Sequence, residues 1–193
     1  MPEFEDYHRT VIGYHGTKKS IALKLVQGIE SIQPSENGDD WLGHGIYFWE
    51  YAPKQAKAWA QLRKQKNKWP EEVAVVASMI RLGNCWDFLE PQHLEELHKN
   101  YVDYRRMMDF ACLSVKANIY SHKYLDCSVF EYAYKEFENR PDPIVVDTCR
   151  AVFIPLSKKQ PRLWPGSGLY WNSHIQLCVR NPKCILGTWL VDV

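Results

Sequence analysis

Two short stretches carry residue types that could hold and polarise a small ligand. Tyr14-His15-Gly16-Thr17 closes an apolar run, and Leu42-Gly43-His44-Gly45-Ile46-Tyr47-Phe48 sets a histidine between two glycines ahead of an aromatic segment. Singly, each also fits a strand that ends in a turn or a loop that opens a strand. A third stretch, Ser157 to Trp171, interleaves Lys158, Lys159 and Arg162 with Trp164, Tyr170 and Trp171. Cations among aromatic rings suit single-stranded nucleic acid, because the cations neutralise phosphates and the rings accept stacked bases. A protein acceptor would use the same residue types. From Lys54 to Lys68, six basic residues and no acidic one accompany Trp59, with Trp69 just beyond. A solvated helix face is the plain account of that run; a second nucleic-acid wall is the sharper one.

These stretches need elements to hold them. The spacing predicts strands over 10–15, 45–49, 73–82, 148–154, 175–179 and 185–191. It predicts helices over 18–27, from Pro53 to a break at Pro70, over 90–110, and around 129–137. Gly83-Asn84 reads as a turn. Residues 90–140 read as a helical insertion without a catalytic pattern, with His93, His98 and His122 at its surface.

Composition bounds the rest. At 193 residues the chain is most simply one domain, 1–193, with room for a core. Eight Trp and eleven Tyr exceed what such a core needs, so some are expected to line a surface site. Lys plus Arg (24) nearly cancels Asp plus Glu (23), so an anionic partner must be met by a local patch. The acidic N-terminus lacks a signal-peptide pattern, and no apolar stretch is long enough to span a membrane; a cytoplasmic protein is expected. The six cysteines have no metal-ligand spacing and read as reduced core thiols, with no metal.

Read together, the order apolar strand, His-Gly-Thr, short helix, polar loop, Gly-x-Gly-Ile-Tyr-Phe and alanine-rich helix resembles the ADP-ribosyltransferase superfamily, in particular its poly(ADP-ribose) polymerase-like branch. The resemblance covers Val11 to Ala60 and returns at His174 to Leu190. It implies an α+β fold: split antiparallel sheets around a cleft for nicotinamide adenine dinucleotide (NAD), with peripheral helices. By the same resemblance, His15 would bond the adenine-side ribose. The Gly16 backbone would pair with the nicotinamide amide, and Thr17 would support that contact. Tyr47, in the segment opened by Gly45, would stack on the nicotinamide ring. Many members carry a second stacking aromatic where this chain has Ala58, and the adjacent Trp59 is the substitute. The family's catalytic glutamate falls on Gln176.

Glutamine keeps a ribose hydrogen bond but offers a dipole in place of a negative charge, which slows chemistry by about one or two powers of ten. Chain-elongating polymerisation is therefore dropped, and transfer of single ADP-ribose units remains. Glu50 and Asp40 are candidates to replace the missing charge. His174 either faces the cleft or sits outside it; alternation along the strand sets it away from the direction of Gln176 except across an edge.

The implied function is an NAD-dependent mono-ADP-ribosyltransferase, an intracellular toxin or defence effector held in check by an antitoxin-type partner. Its acceptor is a macromolecule, with nucleic acid favoured over protein. A non-catalytic NAD- or ADP-ribose-binding module is the alternative, and an RNA 2′-phosphotransferase-like enzyme ranks behind it.

Overall fold

A computed structural model describes residues 6–119, 122–154 and 162–193. The described residues form β1 (Asp6–Lys18), α1 (Lys19–Val26), β2 (Ile46–Glu50), α2 (Pro53–Asn67), β3 (Val73–Asp87), α3 (Pro91–Phe110), α4 (Tyr124–Glu138), β4 (Thr148–Phe153), β5 (His174–Val179) and β6 (Ile185–Val191). Pro53 opens α2, where its fixed φ and missing N–H cost nothing. Asn181 caps a short 3₁₀ turn, Pro182–Cys184, between β5 and β6. None of the described helices is long and apolar enough to cross a membrane.

The fold is α+β. Its strands make one mixed six-stranded sheet, with a parallel β3–β4 pair, where separate antiparallel sheets were expected from the sequence. The difference comes from the lengths of β1 and β3, 13 and 15 residues. β1 runs antiparallel to β3 from Asp6↔Asn84 to Lys18↔Val73, yet meets β2 only at Gly13↔Glu50 and Tyr14↔Trp49. The pairings β1–β2–β5–β4–β3–β1 therefore close on themselves, and β6 adds outside β3. β3 does not turn at Gly83-Asn84. The Asp147 carboxylate accepts the Asn84 N–H at 3.0 Å, and the strand continues to Asp87.

Alternation along β2, β5 and β4 gives two faces. Inside the ring, Phe48 and Leu177 pack with Val11, Ile80 and Leu82. On the outer face, Cys149 and Cys178 meet Trp86, Phe130, Tyr134 and Phe137, so α4 supplies core at one end of that face. All six cysteines are free thiols. His93 is buried, contrary to the surface position expected. Its Nδ1 lies 2.8 Å from the Asp87 carbonyl and ties the first turn of α3 to the end of β3. His98 is exposed, and His122 is half-buried, 2.5 Å from Asp39.

Candidate functional site

His15, Gly16, Thr17, Gly45, Tyr47, Trp59 and Gln176 line one cleft of about 1120 Å³. They come from β1, the loop before β2, β2 itself, α2 and β5.

His15 sits just beyond the last β1–β2 pair, where the two strands part. Its Nδ1 is 2.9 Å from the Tyr47 carbonyl. A carbonyl only accepts, so Nδ1 carries the proton and Nε2 is left as an acceptor. Burial pulls the His15 pKa below its usual value, against the smaller opposite pull of that carbonyl, and keeps the ring neutral. Gly16 is where α2 crosses β1. A Cβ there would stand 2.2 Å from the Ala56 carbonyl oxygen and 2.8 Å from the Ala60 methyl. Gly45 plays the same part against β5, where a Cβ would meet Cys178 Sγ at 2.5 Å.

Tyr47 is locked at both ends. Its hydroxyl accepts the Leu42 N–H at 2.9 Å and donates to the Gly43 carbonyl at 2.8 Å. Burial raises its pKa far out of the physiological range, so the phenol is a fixed neutral ring and not a base. The Leu42–His44 loop is held from its other side by α4. Tyr134 donates to the Leu42 carbonyl at 2.8 Å, and Glu131 accepts the His44 N–H at 2.7 Å. The helical segment that showed no catalytic pattern thus positions one lip of the cleft.

Gln176 is held by neutral partners. The Trp41 indole N–H donates to its Oε1 at 2.5 Å, and its Nε2 lies 3.2 Å from His174 Nε2. The expectation that His174 points away from Gln176 is overturned: residues two apart on a strand share a face, and both line the cleft. The His174 Nδ1 is 2.6 Å from the Asn172 carbonyl. Burial lowers the His174 pKa more than this bond raises it.

Neither spare carboxylate stands free at Gln176. Glu50 lies on the opposite face of β2, buried and bonded to Arg150 at 2.7 Å, with Asp87 at 3.0 Å from the same guanidinium. Asp40 does line the cleft, but its two oxygens accept from the Ser35 hydroxyl at 2.9 Å and the Asn37 N–H at 2.8 Å. Burial raises its pKa.

The walls are aromatic: Trp41, Trp49, Trp59, Trp69 and Phe153 all line the cleft. Trp59 packs against Trp49 with ring centroids 5.3 Å apart, and Ala58 lies beside it on the wall. Gln55, Trp59, Leu62 and Arg63 form a stripe at helical spacing, so one side of the basic helix α2 faces the cleft. Arg63 sits 5.0 Å over the Trp59 ring and Lys18 5.4 Å over Trp69.

The proposed acceptor loop is placed differently. Arg162, Trp164, Tyr170 and Trp171 are not among the residues lining the cleft. Arg162 stacks 5.0 Å over Tyr170 and donates to the Ser167 carbonyl, while Trp164 and Trp171 are exposed. Lys158 and Lys159 lie outside the described residues. Sequence reading missed Trp41, Trp49, Phe153, Asn172 and the direction of His174. Period-two parity with Gln176 was the signal available for His174; nothing local marked Trp41, whose partner is 135 positions away.

No family model, curated protein or solved structure matches the chain.

Proposed function

We propose that the chain is an NAD-dependent mono-ADP-ribosyltransferase with an α+β fold of the ADP-ribosyltransferase type. The observation that carries this reading is convergence. Residues singled out at positions 15–17, 45, 47, 59 and 176 line one cleft roomy enough for a dinucleotide and an acceptor together. In this reading His15 accepts from the adenine-side ribose through Nε2, the Gly16 backbone pairs with the nicotinamide amide, and the immobile Tyr47 ring stacks on the nicotinamide. Stacking on a ring already fixed in place costs little entropy. Arg63 and Lys123, both on the wall, are cations in reach of a pyrophosphate.

Transfer breaks the bond between the ribose C1′ and the nicotinamide nitrogen, so positive charge gathers on the ribose. Gln176 meets that charge with an amide dipole. Orientation of a good leaving group supplies much of the remaining acceleration. For the acceptor we favour nucleic acid, and the support now comes from α2. Trp59 with Arg63 on α2 joins a stacking surface to a cation at the cleft wall, and Lys18 of β1 stands over the wall residue Trp69 just beyond the helix. The toxin or defence role, with an inhibitory partner, belongs to the same proposal.

The test is incubation with labelled NAD and a cell lysate fractionated into protein, RNA and DNA. Nicotinamide release and label in a nucleic-acid fraction are expected. His15→Ala and Tyr47→Ala should each lower release by about 100-fold, the scale of losing substrate orientation, with circular dichroism unchanged. Full activity in both variants overturns the enzyme reading. NAD binding without turnover in the wild type selects the binding module, and label confined to protein overturns the nucleic-acid preference.

A further inference from the structure

We propose that His174 is the acid–base residue of the cleft, taking through Nε2 the proton that the acceptor gives up as ADP-ribose is transferred. The inference rests on the NAD reading above and adds to it a base, which that reading lacks.

The hydrogen bonds fix the ring by elimination. An indole N–H is only a donor, so the Gln176 atom facing Trp41 is the amide oxygen. The amide nitrogen must then face His174, and an amide N–H only donates, so His174 Nε2 carries the lone pair. The Asn172 carbonyl only accepts, so Nδ1 carries the proton. Two unrelated neighbours thus demand the same tautomer, with the basic nitrogen beside Gln176 on the cleft wall. Asn172 is itself braced, its side chain lying 3.2 Å from the Gln55 amide of α2.

The groups around the ring are neutral. Trp49 of β2 stands 6.3 Å away centroid to centroid, Phe153 of β4 stands 5.3 Å away, and Gln176 and Asn172 complete the described contacts. Among the described residues no facing charge holds the imidazole protonated, and burial lowers its pKa, so it meets an acceptor as a free base near neutral pH. Of the other titratable groups on the wall, Glu36 is exposed to solvent, Arg63 and Lys123 are cations, and the rest are occupied or differently placed. Asp40 is bonded through both oxygens, Asp39 pairs with His122, Tyr47 is locked, and His15 stands at the adenosine end of the proposed pose.

The step balances without an oxidant. The C1′–nitrogen bond of NAD breaks with its electron pair going to the nicotinamide ring, which cancels that ring's positive charge. The acceptor's oxygen or nitrogen bonds to C1′, and its proton moves to His174 Nε2 and from there to water. Until an acceptor O–H or N–H takes its place at Nε2, the Gln176 amide holds the ring.

The test uses the full chain, NAD and the labelled nucleic-acid fraction, with wild type, His174→Ala and His174→Asn followed from acid to alkaline pH. Both variants should bind NAD with wild-type affinity and lose transfer by about 100-fold or more, the usual share of a general base. The wild-type acid limb should vanish in them, and added imidazole should restore transfer to His174→Ala. Transfer near the wild-type rate in both variants, or an unchanged acid limb, overturns the assignment while leaving the NAD reading intact. A wild type that neither binds nor cleaves NAD overturns both. Independently of the variants, nitrogen-detected NMR of the wild type should show the Nδ1–H tautomer at His174; the Nε2–H tautomer overturns the proposal.

Discussion

The strands β2, β5 and β4 carry two polar groups on opposite faces, and they solve the problem of polarity in opposite ways. On the inner face Arg150 sits between Glu50 and Asp87, all three buried, so two carboxylates share one guanidinium. On the outer face Trp41, Gln176, His174 and Asn172 form a chain of neutral groups along the cleft wall. The inner carboxylate is next to the Tyr47 segment in sequence, yet its charge is answered by a guanidinium and faces away from the cleft. The outer amide carries no charge, but it is pre-aimed and open to a ligand. Proximity in sequence to a motif is thus a poor guide to which acid serves it. Strand parity is the better guide.

The largest effect expected from breaking this contrast is on the charged face. Arg150→Ala leaves two buried carboxylates without the guanidinium that bonds them both and should lower stability by about 3–5 kcal/mol, read from the urea unfolding midpoint. Glu50 Oε2 already lacks a hydrogen-bond partner in the described structure, which sharpens the loss. A change under about 1 kcal/mol would mean that water reaches the triad.

Gln176→Glu moves charge to the neutral face and should have the next largest effect. One carboxylate oxygen keeps the Trp41 N–H, but the other faces the His174 lone pair and favours its protonation. The His174 pKa should therefore rise, by NMR titration, and the pH optimum of transfer should shift to the alkaline side. At that optimum the rate should exceed wild type by about tenfold to 100-fold, as charge replaces a dipole at the ribose.

The smallest effect is on stability against pH. His15 and His174 both have pKa values lowered from 6.5 by burial. Below that value the unfolded chain binds protons that the folded chain resists, so their contribution destabilises the fold as the pH falls through 6.5 and is absent above it. The wild-type melting temperature should therefore fall further between neutral and acid pH than that of His174→Asn, which lacks one of the two groups.

Much of the architecture was legible because its signals are local. Pro53 marked the start of α2, the 3.6-residue rhythm marked α3, and β-branched runs marked β3, β5 and β6. The candidate cleft was legible at His15, Gly16, Gly45 and Tyr47, whose residue types and order are unusual together. Three things were not. Burial of His93 depends on a carbonyl at the end of β3 that needed a partner. The continuation of β3 past Gly83 depends on Asp147, on a distant segment. The nearness of Trp41 to Gln176 depends on a loop whose path no periodicity encodes.

The order and kind of the elements, the placing of glycines where β1 meets α2 and β2 meets β5, and the absence of a free acid at position 176 were all determined by the amino-acid sequence. These follow from side-chain shape, backbone freedom and charge acting over a few residues. Tertiary structure alone decided that β1 and β3 would close five of the strands into one ring, and that Glu50 would pair with Arg150 within it. It alone brought an indole from a remote loop over the His174–Gln176 pair. Such outcomes belong to register and to long-range pairing, where a shift of one residue exchanges the two faces of a strand.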